Sequence, residues 1–397
     1  MSPPLISVLG MRILHTSDWH LGRSFHREGL LDAQAGFVDH LIETVREQRI
    51  DLVVVSGDVY ERALPPVDAV SLAHESLRRL AAERVRTVIT SGNHDSARRL
   101  GFASDLIDGS GVHLRTDASA VGTPVIVEDG SGPVAVYGLP YLEPDFVREE
   151  WCLSERSHRA ALAEAMRRVR TDLRRRPPGT RSVVLAHAFV TGATPSDSER
   201  DICVGGVANV PADVFNGVDY VALGHLHGRQ RLRETVRYSG SPLAYSFSEA
   251  RQVKGCWLID LGAAGVERVE FVPAPVPRRL AVVRGELEAL LADPDLLSEE
   301  QCWLQVTLTD PIRPRGAMER LRVRFPHTLV LGFDPEGNSA LGTAGDRAGG
   351  DGVTTRSDVE VTSEFVRAVR GAPPCDDEQV LLHRAWEACR VARAAAS

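Results

Sequence analysis

Five short polar clusters carry the residue types that chemistry needs, and each follows directly on an apolar run. They are Asp18 and His20 in HTSDWHLG, Asp58 in VVVSGDVY, Asn93 and His94 in SGNHD, His187 in VVLAHA, and His225 with His227 in LGHLHG. Pooled, they offer two carboxylates, one amide oxygen and five imidazoles. Gathered without a cation, Asp18 and Asp58 would face a crowd of polar groups needing partners. A pair of divalent ions satisfies them all. Mixed imidazole and oxygen donors suit manganese, iron or zinc, whereas an all-oxygen set would suit magnesium or calcium. One carboxylate can bridge two ions about 3.5–4 Å apart. Asp58 is the candidate bridge, because Gly57 before it lets the backbone turn tightly. Two such ions clamp a phosphoryl oxygen and lower the pKa of a bound water from ~15.7 towards neutrality, which favours in-line hydrolysis of a phosphate ester.

For these clusters to meet, the chain must fold so that the strand ends converge, since Asp18 and His227 are 209 residues apart. The first ~270 residues supply the pattern, alternating apolar strands with amphipathic helices. RILHTSD and RTVIT read as strands, and DLVVVSGD carries the unbroken Leu52-Val53-Val54-Val55 run of a strand buried on both faces. LLDAQAGFVDHLIETVREQR places Phe37, Leu41 and Val45 at helical spacing, and PPVDAVSLAHESLRRLAAER opens with proline and carries Val70, Leu77 and Leu80. RSVVLAH and VDYVALGH repeat the strand pattern later in the chain. This is an α/β core, and in such sheets ligands bind outside the carboxyl ends of the strands. Taken singly, D-x-H or G-D is common by chance. All five clusters in this order, each behind a strand, point to one site. The other eight histidines (15, 26, 40, 74, 113, 158, 327 and 383) fall outside the pattern and read as core, surface or supporting residues.

Composition bounds the rest. At 397 residues the chain is long enough for two or three domains, and 43% hydrophobic with 25% charged residues is ordinary for a globular protein. No apolar stretch approaches the roughly 18 residues of a membrane span. The six cysteines form no C-x-x-C pair, which argues against a structural zinc site and a disulfide framework and points to a reducing cytoplasm. A net charge of −8 disfavours a nucleic-acid partner unless positive charge gathers locally. The run Arg156 to Arg181 holds nine arginines against Glu164 and Asp172, and it reads as a solvated helix or as a phosphate-contacting patch. Lys254 is the only lysine, so arginine is the default cation here.

From about Val236 the strands VRYSG, KGCWLID and VERVEFVP read as sheet edges completing a domain over 11–273. The Pro-rich VPAPVPRR then marks a joint, followed by a small α+β unit over 279–334. Residues 335–361, rich in Gly, Thr and Asp, read as a flexible linker. Two short helical patterns over 362–397 flank Pro373-Pro374, either docking a partner or packing back on their own domain.

The ordered set D-x-H, G-D, G-N-H-D, a lone His behind a strand and G-H-x-H resembles the calcineurin-like metallophosphoesterases. Within them, MRILHTSDWHLG, SGDVYERALPP, SGNHDSARRL, DYVALGHLHG and VRYSGSPLAYSF resemble the nuclease subunits of bacterial SbcCD-type complexes, strongly over the core and weakly beyond it. The resemblance implies a four-layer αββα sandwich with a small capping domain and C-terminal helices. It implies one ion on Asp18, His20, Asp58 and His227, a second on Asp58, Asn93, His187 and His225, and His94 as the group that contacts the scissile phosphate and assists the leaving oxygen. Asp95 would orient His94 or close the turn. Also implied are manganese dependence, double-stranded DNA ends and hairpins as substrates, a homodimer within a heterotetramer, an SbcC-like coiled-coil ATPase docked on the terminal helices, and a nucleoid-associated place in the cytoplasm. One departure is Tyr60-Glu61-Arg62, where many relatives carry an Asp or His shortly after the second motif. A phosphoesterase for small molecules or phosphoproteins, and a non-catalytic scaffold bridging the ATPase to DNA, are the competing readings.

Overall fold

The structure, a computed structural model, describes residues 10–200, 210–335 and 358–394. Most of the stretch read as a linker (336–357) therefore lies outside the described residues. The chain divides into two compact units. One takes in the described residues up to Val282 together with Gln301–Leu304; the other takes in Val283–Glu300 and the described residues from Gln305 onward.

The first unit is built on two six-stranded sheets. Across the first sheet run Gly265–Pro273, Gly255–Gly262, Met11–Thr16, Leu52–Ser56, Arg86–Thr90 and Val112–Leu114. The last four of these are parallel, with Ile13 opposite Leu52 and Ser56 opposite Thr90, so their carboxyl ends lie side by side. Across the second run Gln230–Arg233, Val236–Tyr238, Tyr220–Gly224, Arg181–His187, Gly132–Leu139 and Val125–Asp129. There Gly224 pairs with His187, again aligning two carboxyl ends.

Strand alternation decides what each side chain meets. Ile13, Leu52, Val54 and Val88 of one sheet pack on Val183, Leu185, Tyr220 and Ala222 of the other. The alternate residues Leu14, Val53 and Val55 turn outward onto Phe37, Leu41 and Val45 of the helix Leu31–Glu47. Val184 and Ala186 turn outward onto Ala161, Ala165 and Val169 of the helix His158–Leu173. The result is helices over two face-to-face sheets, the four-layer αββα sandwich that the resemblance implies.

Two local readings change. In the helix Val67–Ala82 the buried face is Ala69, Ala73, Ser76 and Leu80, while Val70 is 43% exposed: the small residues are what let the helix lie close. Of the late strands, only Gly265–Pro273 is an edge; Val236–Tyr238 and Gly255–Gly262 are paired on both sides. The arginine run is largely spent on structure. Arg167 and Arg168 pair with Glu164, Arg176 with Asp172, and buried Arg181 with Asp129. This favours the helix reading over a phosphate-contacting patch.

Further along the chain, a three-stranded sheet in the order Leu280–Gly285, Trp303–Leu308, Thr328–Phe333 carries the helices Leu287–Ala292 and Ala317–Arg324. Helices Asp358–Arg370 and Asp376–Ala394 pack on one another, with Trp386 Nε1 donating to Thr362 Oγ1 at 2.9 Å. Val361, Phe365, Val380 and Leu381 are left more than half exposed. Among the described residues, no helix is long and apolar enough to cross a membrane.

Candidate metal centre

Every cluster singled out in the sequence arrives at the carboxyl end of a strand in the first unit, and together they form one buried site. Asp18, His20, Asp58, His187, His225 and His227 are all under 5% exposed. Main-chain bonds lock the loops to one another: Asp18 N donates to Gly57 O at 3.1 Å and His20 N to Asp58 O at 3.0 Å. His225 N reaches both Asp18 carboxylate oxygens at 3.0 and 3.1 Å. Asp18, His20, Asp58 and His225 hold φ angles of 54, 47, 49 and 104°. Left-handed backbone costs a non-glycine residue about 1–3 kcal/mol and persists where the surroundings over-determine it. Here the interlocking loops do so.

Asp58 sits at the middle. Its Oδ2 is 3.6 Å from His20 Nε2 on one side and 3.4 Å from His187 Nε2 on the other. His20 Nε2 and His227 Nε2 face each other at 3.0 Å. Asn93 Oδ1 lies 2.9 Å from His187 Nε2 and 3.3 Å from His225 Nδ1. Asp18 with His20 and His227, and Asp58 with Asp18 and His187, each bring ligand-type atoms within 4.8 Å of one another.

The donor set fits divalent cations. His187 Nδ1 donates to Ser56 O at 2.9 Å, which leaves Nε2 as the lone-pair atom, and that atom faces Asn93 Oδ1. A lone pair facing another acceptor in a dry site is costly unless a proton or a metal cation joins them. Burial keeps His20 down at about 3 and His225 well below its ordinary range, so both rings are neutral, the form that binds metal. Burial pushes Asp18 up to about 6, against the pull of His187 and His227. Burial acts the same way on Asp58, but His187 beside it prevails and holds the carboxyl well below its ordinary range. Burial opposes the charged form of His187, yet Asp58 raises it to about 9, so without an ion Nε2 holds a proton in the place between Asn93 and Asp58 that a divalent cation would take over.

His94 differs from the others. Its Nδ1 donates to Glu61 O at 2.8 Å and its main-chain N donates to Asp58 Oδ1 at 2.8 Å. Its ring also comes within ligand distance of His20 and Asp58, so proximity alone does not separate it from the candidate ligands. Asp95 closes the turn. Its carboxylate accepts from Gly92 N, Val59 N and Tyr60 N at 2.9–3.1 Å, stapling the third motif to the second.

A model of the calcineurin-like phosphoesterases matches residues 11–229. The chain belongs to this family. Residues 276–370 of the phosphoesterase match a second model, SbcD_C, described as the type 5 capsule protein repressor C-terminal domain. Together the two matches support an SbcD-like subunit. Among solved structures, TT1561 of Thermus thermophilus is 15% identical over 66% of this chain and 99% of its own, with a TM-score of 0.39. A dimetal phosphatase from Danio rerio is 12% identical over 67% and 99%, with a TM-score of 0.39. GAP50, the anchor in the inner membrane complex of Plasmodium, is 10% identical over 83% and 98%, with a TM-score of 0.37. At such scores the likeness bears no weight.

The phosphoesterase also has residues at this centre that motif spacing does not reveal. The Glu61 carboxylate lies 2.9 Å from His20 Nδ1, and Arg23 lies against it at 3.3 Å. Ser198 contacts His227 Nδ1, and Glu249 with Lys254 lies behind it. Two signals existed: Glu61 sits in the stretch that departs from many relatives, and Lys254 is the single lysine of the chain.

Proposed function

We propose that the chain is a manganese-dependent DNA exonuclease and endonuclease, acting on double-stranded ends and hairpins with an SbcC-like coiled-coil ATPase. The observation that carries this reading is a complete cluster of Asp18, His20, Asp58, Asn93, His187, His225 and His227 in a chain that continues into an SbcD-type C-terminal domain. One ion would rest on Asp18, His20, Asp58 and His227, the other on Asp58, Asn93, His187 and His225. Bound there, the pair would supply Lewis acidity towards a phosphodiester and a water acidic enough to ionise near neutral pH.

The chain's own groups do the rest. Asp58 holds both ligand sets in register, and Asp95 fixes the loop that presents Asn93 and His94. Because His94 gives its Nδ1 proton to Glu61 O, its Nε2 is the atom free to serve substrate. Carrying a second proton on that atom, as an imidazolium that burial makes more acidic, His94 would hand it to the oxygen that departs as the P–O bond breaks, while water adds its oxygen to phosphorus and releases its own proton to solvent. Exposed apolar side chains support assembly with a partner and with a second copy. Val361, Phe365, Val380 and Leu381 on the terminal helices suit the ATPase. Leu64, Val67, Phe102 and Leu106 suit a second copy, and Arg99 Nη1 bonded to Ala63 O at 2.9 Å ties their two segments together.

The test is degradation of end-labelled linear duplex DNA with manganese, with and without the ATPase, for wild type and His94→Ala. Cleavage by wild type alone supports both the nuclease reading and the role of His94. If neither cuts DNA while bis-p-nitrophenyl phosphate is hydrolysed, the metal centre stands and the substrate is a small phosphodiester or a phosphoprotein. Absence of any hydrolysis by metal-loaded protein that still assembles with the ATPase would favour a scaffold.

A further inference from the structure

We propose that Glu249, acting through Ser198 and anchored by Lys254, is a positioning residue for His227, and that with Glu61 on His20 it makes one of the two metal positions bind its ion more tightly than the other. This rests on the ligand assignment given under the proposed function.

The argument starts at the ring nitrogens turned away from the centre. His227 presents Nε2 to His20 Nε2, and its Nδ1 meets Ser198 Oγ. Ser198 Oγ lies 2.6 Å from Glu249 Oε1. Glu249 is 1% exposed, and its Oε2 is paired with the Lys254 ammonium, the partner of an ionised carboxylate. An ionised carboxylate only accepts, so the Ser198 hydrogen points at Glu249 and the serine oxygen accepts from His227 Nδ1–H. The relay thus fixes one tautomer, with Nε2 bare and aimed at the centre. Glu249 Oε1 takes a further hydrogen bond from Ser246 Oγ at 2.9 Å.

Lys254 closes the frame. Its Nζ reaches Glu249 Oε2 at 2.5 Å, His227 O at 2.7 Å, Gln252 Oε1 at 2.9 Å and Ser241 Oγ at 3.1 Å. One buried ammonium therefore grips both the main chain of His227 and the carboxylate that sets its ring. Glu199, next to Ser198, accepts from His227 N at 2.7 Å. A buried Glu–Lys pair is weak evidence for stability, because desolvation offsets its attraction. Its placement behind a ligand is better explained by orientation.

The other first-ion imidazole is treated alike. The Glu61 carboxylate stands 2.9 Å from His20 Nδ1, off the ideal hydrogen-bond line, and among the described residues that nitrogen has no other polar partner. The second set is different. His187 Nδ1 gives its proton to the neutral carbonyl of Ser56, and His225 turns Nδ1 inward to Asn93. So the set Asp18, His20, Asp58, His227 has two carboxylates, Asp18 of its own and Asp58 shared, and two more behind its imidazoles. The set Asp58, Asn93, His187, His225 has one carboxylate, shared. Outer carboxylates orient ligating histidines and raise their basicity, and removing one typically costs about 10–100-fold in metal affinity.

The test is manganese titration of metal-stripped full-length protein, read by calorimetry and by the EPR signal of free Mn2+, without reference to turnover. Wild type is expected to bind two ions in unequal steps. Ser198→Ala and Glu61→Gln should each weaken the tighter step about 10–100-fold and leave the weaker one in place. Glu249→Gln should do the same, but it strands a buried lysine and can fail to fold; Ser198→Ala lies on a half-buried loop and leaves the Glu–Lys pair intact. Circular dichroism of the metal-free proteins checks the fold. Equal steps in wild type, or folded Ser198→Ala and Glu61→Gln proteins with both steps unchanged or both weakened alike, overturn the proposal. Asp58→Asn separates the two layers: it should impair both steps, and if it does not, the ligand assignment itself falls and takes this inference with it.

Discussion

Adding one methyl group at Gly92 should disable the centre without touching any ligand chemically. Gly92 follows the strand Arg86–Thr90 and lies against Asp58. A Cβ there would meet Asp58 Oδ1 at 2.1 Å, Asp58 N at 2.5 Å and Asp58 Cγ at 2.7 Å. Contacts of real Cβ atoms stop near 3.0 Å, so something must move by about 0.9 Å. Gly92 cannot retreat freely, because its N–H is held by Asp95 Oδ2 at 2.9 Å. The Asp58 carboxylate is the side that yields. Moving it breaks the bond from His94 N and pulls Oδ2 from between His20 and His187.

A misplacement near 1 Å at reacting groups costs on the order of 10²-fold, or about 2.7 kcal/mol of barrier. The overpacking itself costs about 1–3 kcal/mol of stability. The assay is hydrolysis of bis-p-nitrophenyl phosphate across a manganese titration, with metal content measured on the same samples. Gly36→Ala is the control. It lies within the helix Leu31–Glu47 with nothing within 4 Å of its added Cβ, so turnover should hold and stability should rise by about 0.5–1 kcal/mol. Folded Gly92→Ala protein with wild-type turnover and two bound ions would refute Asp58 as the shared carboxylate.

Other consequences follow from the same contacts. His15 is fully buried, with Nε2 donating to Leu223 O and Nδ1 accepting from Tyr220 OH, and burial lowers it from 6.5 to about 3. The unfolded ring takes a proton below pH 6.5 while the folded ring stays neutral, so stability is complete above 6.5 and is lost as pH falls towards 3. Between pH 7 and pH 5 this single group removes about 2 kcal/mol. Urea melts of metal-free wild type and His15→Gln should differ in pH slope by that amount, and parallel slopes would contradict it. On the terminal helices, Phe365→Glu with Leu381→Glu should weaken capture by the SbcC-like ATPase at least tenfold in a binding titration while bis-p-nitrophenyl phosphate turnover is unchanged. Unaltered capture would place the ATPase elsewhere.

What the sequence made legible, and what it hid, divides along a physical line. Asp18, Asp58, Asn93, His187 and His225 were readable because each stands at the end of its own apolar run, and parallel strands bring such ends together without further instruction. The Leu52–Val55 run announced a buried strand, but only the pleat assigns Leu52 and Val54 to the facing sheet and Val53 and Val55 to the helices. The groups that aim the ligands left no local pattern. Ser198 and Glu249 are 51 residues apart, and their meeting behind His227 follows from tertiary closure alone. Lys254 stood out only as a count of one, and Glu61 only as a departure from relatives. The left-handed backbone of Asp18, His20 and Asp58 was equally silent, since sequence signals that conformation through glycine. Donor types can be read one loop at a time, because each loop is local. Their orientation cannot, because a strained loop holds its angle only when other loops bond to it. Asp95 shows the point: read as a turn residue, it is also the acceptor for two main-chain N–H groups of the Asp58 loop, so the third motif shapes the second.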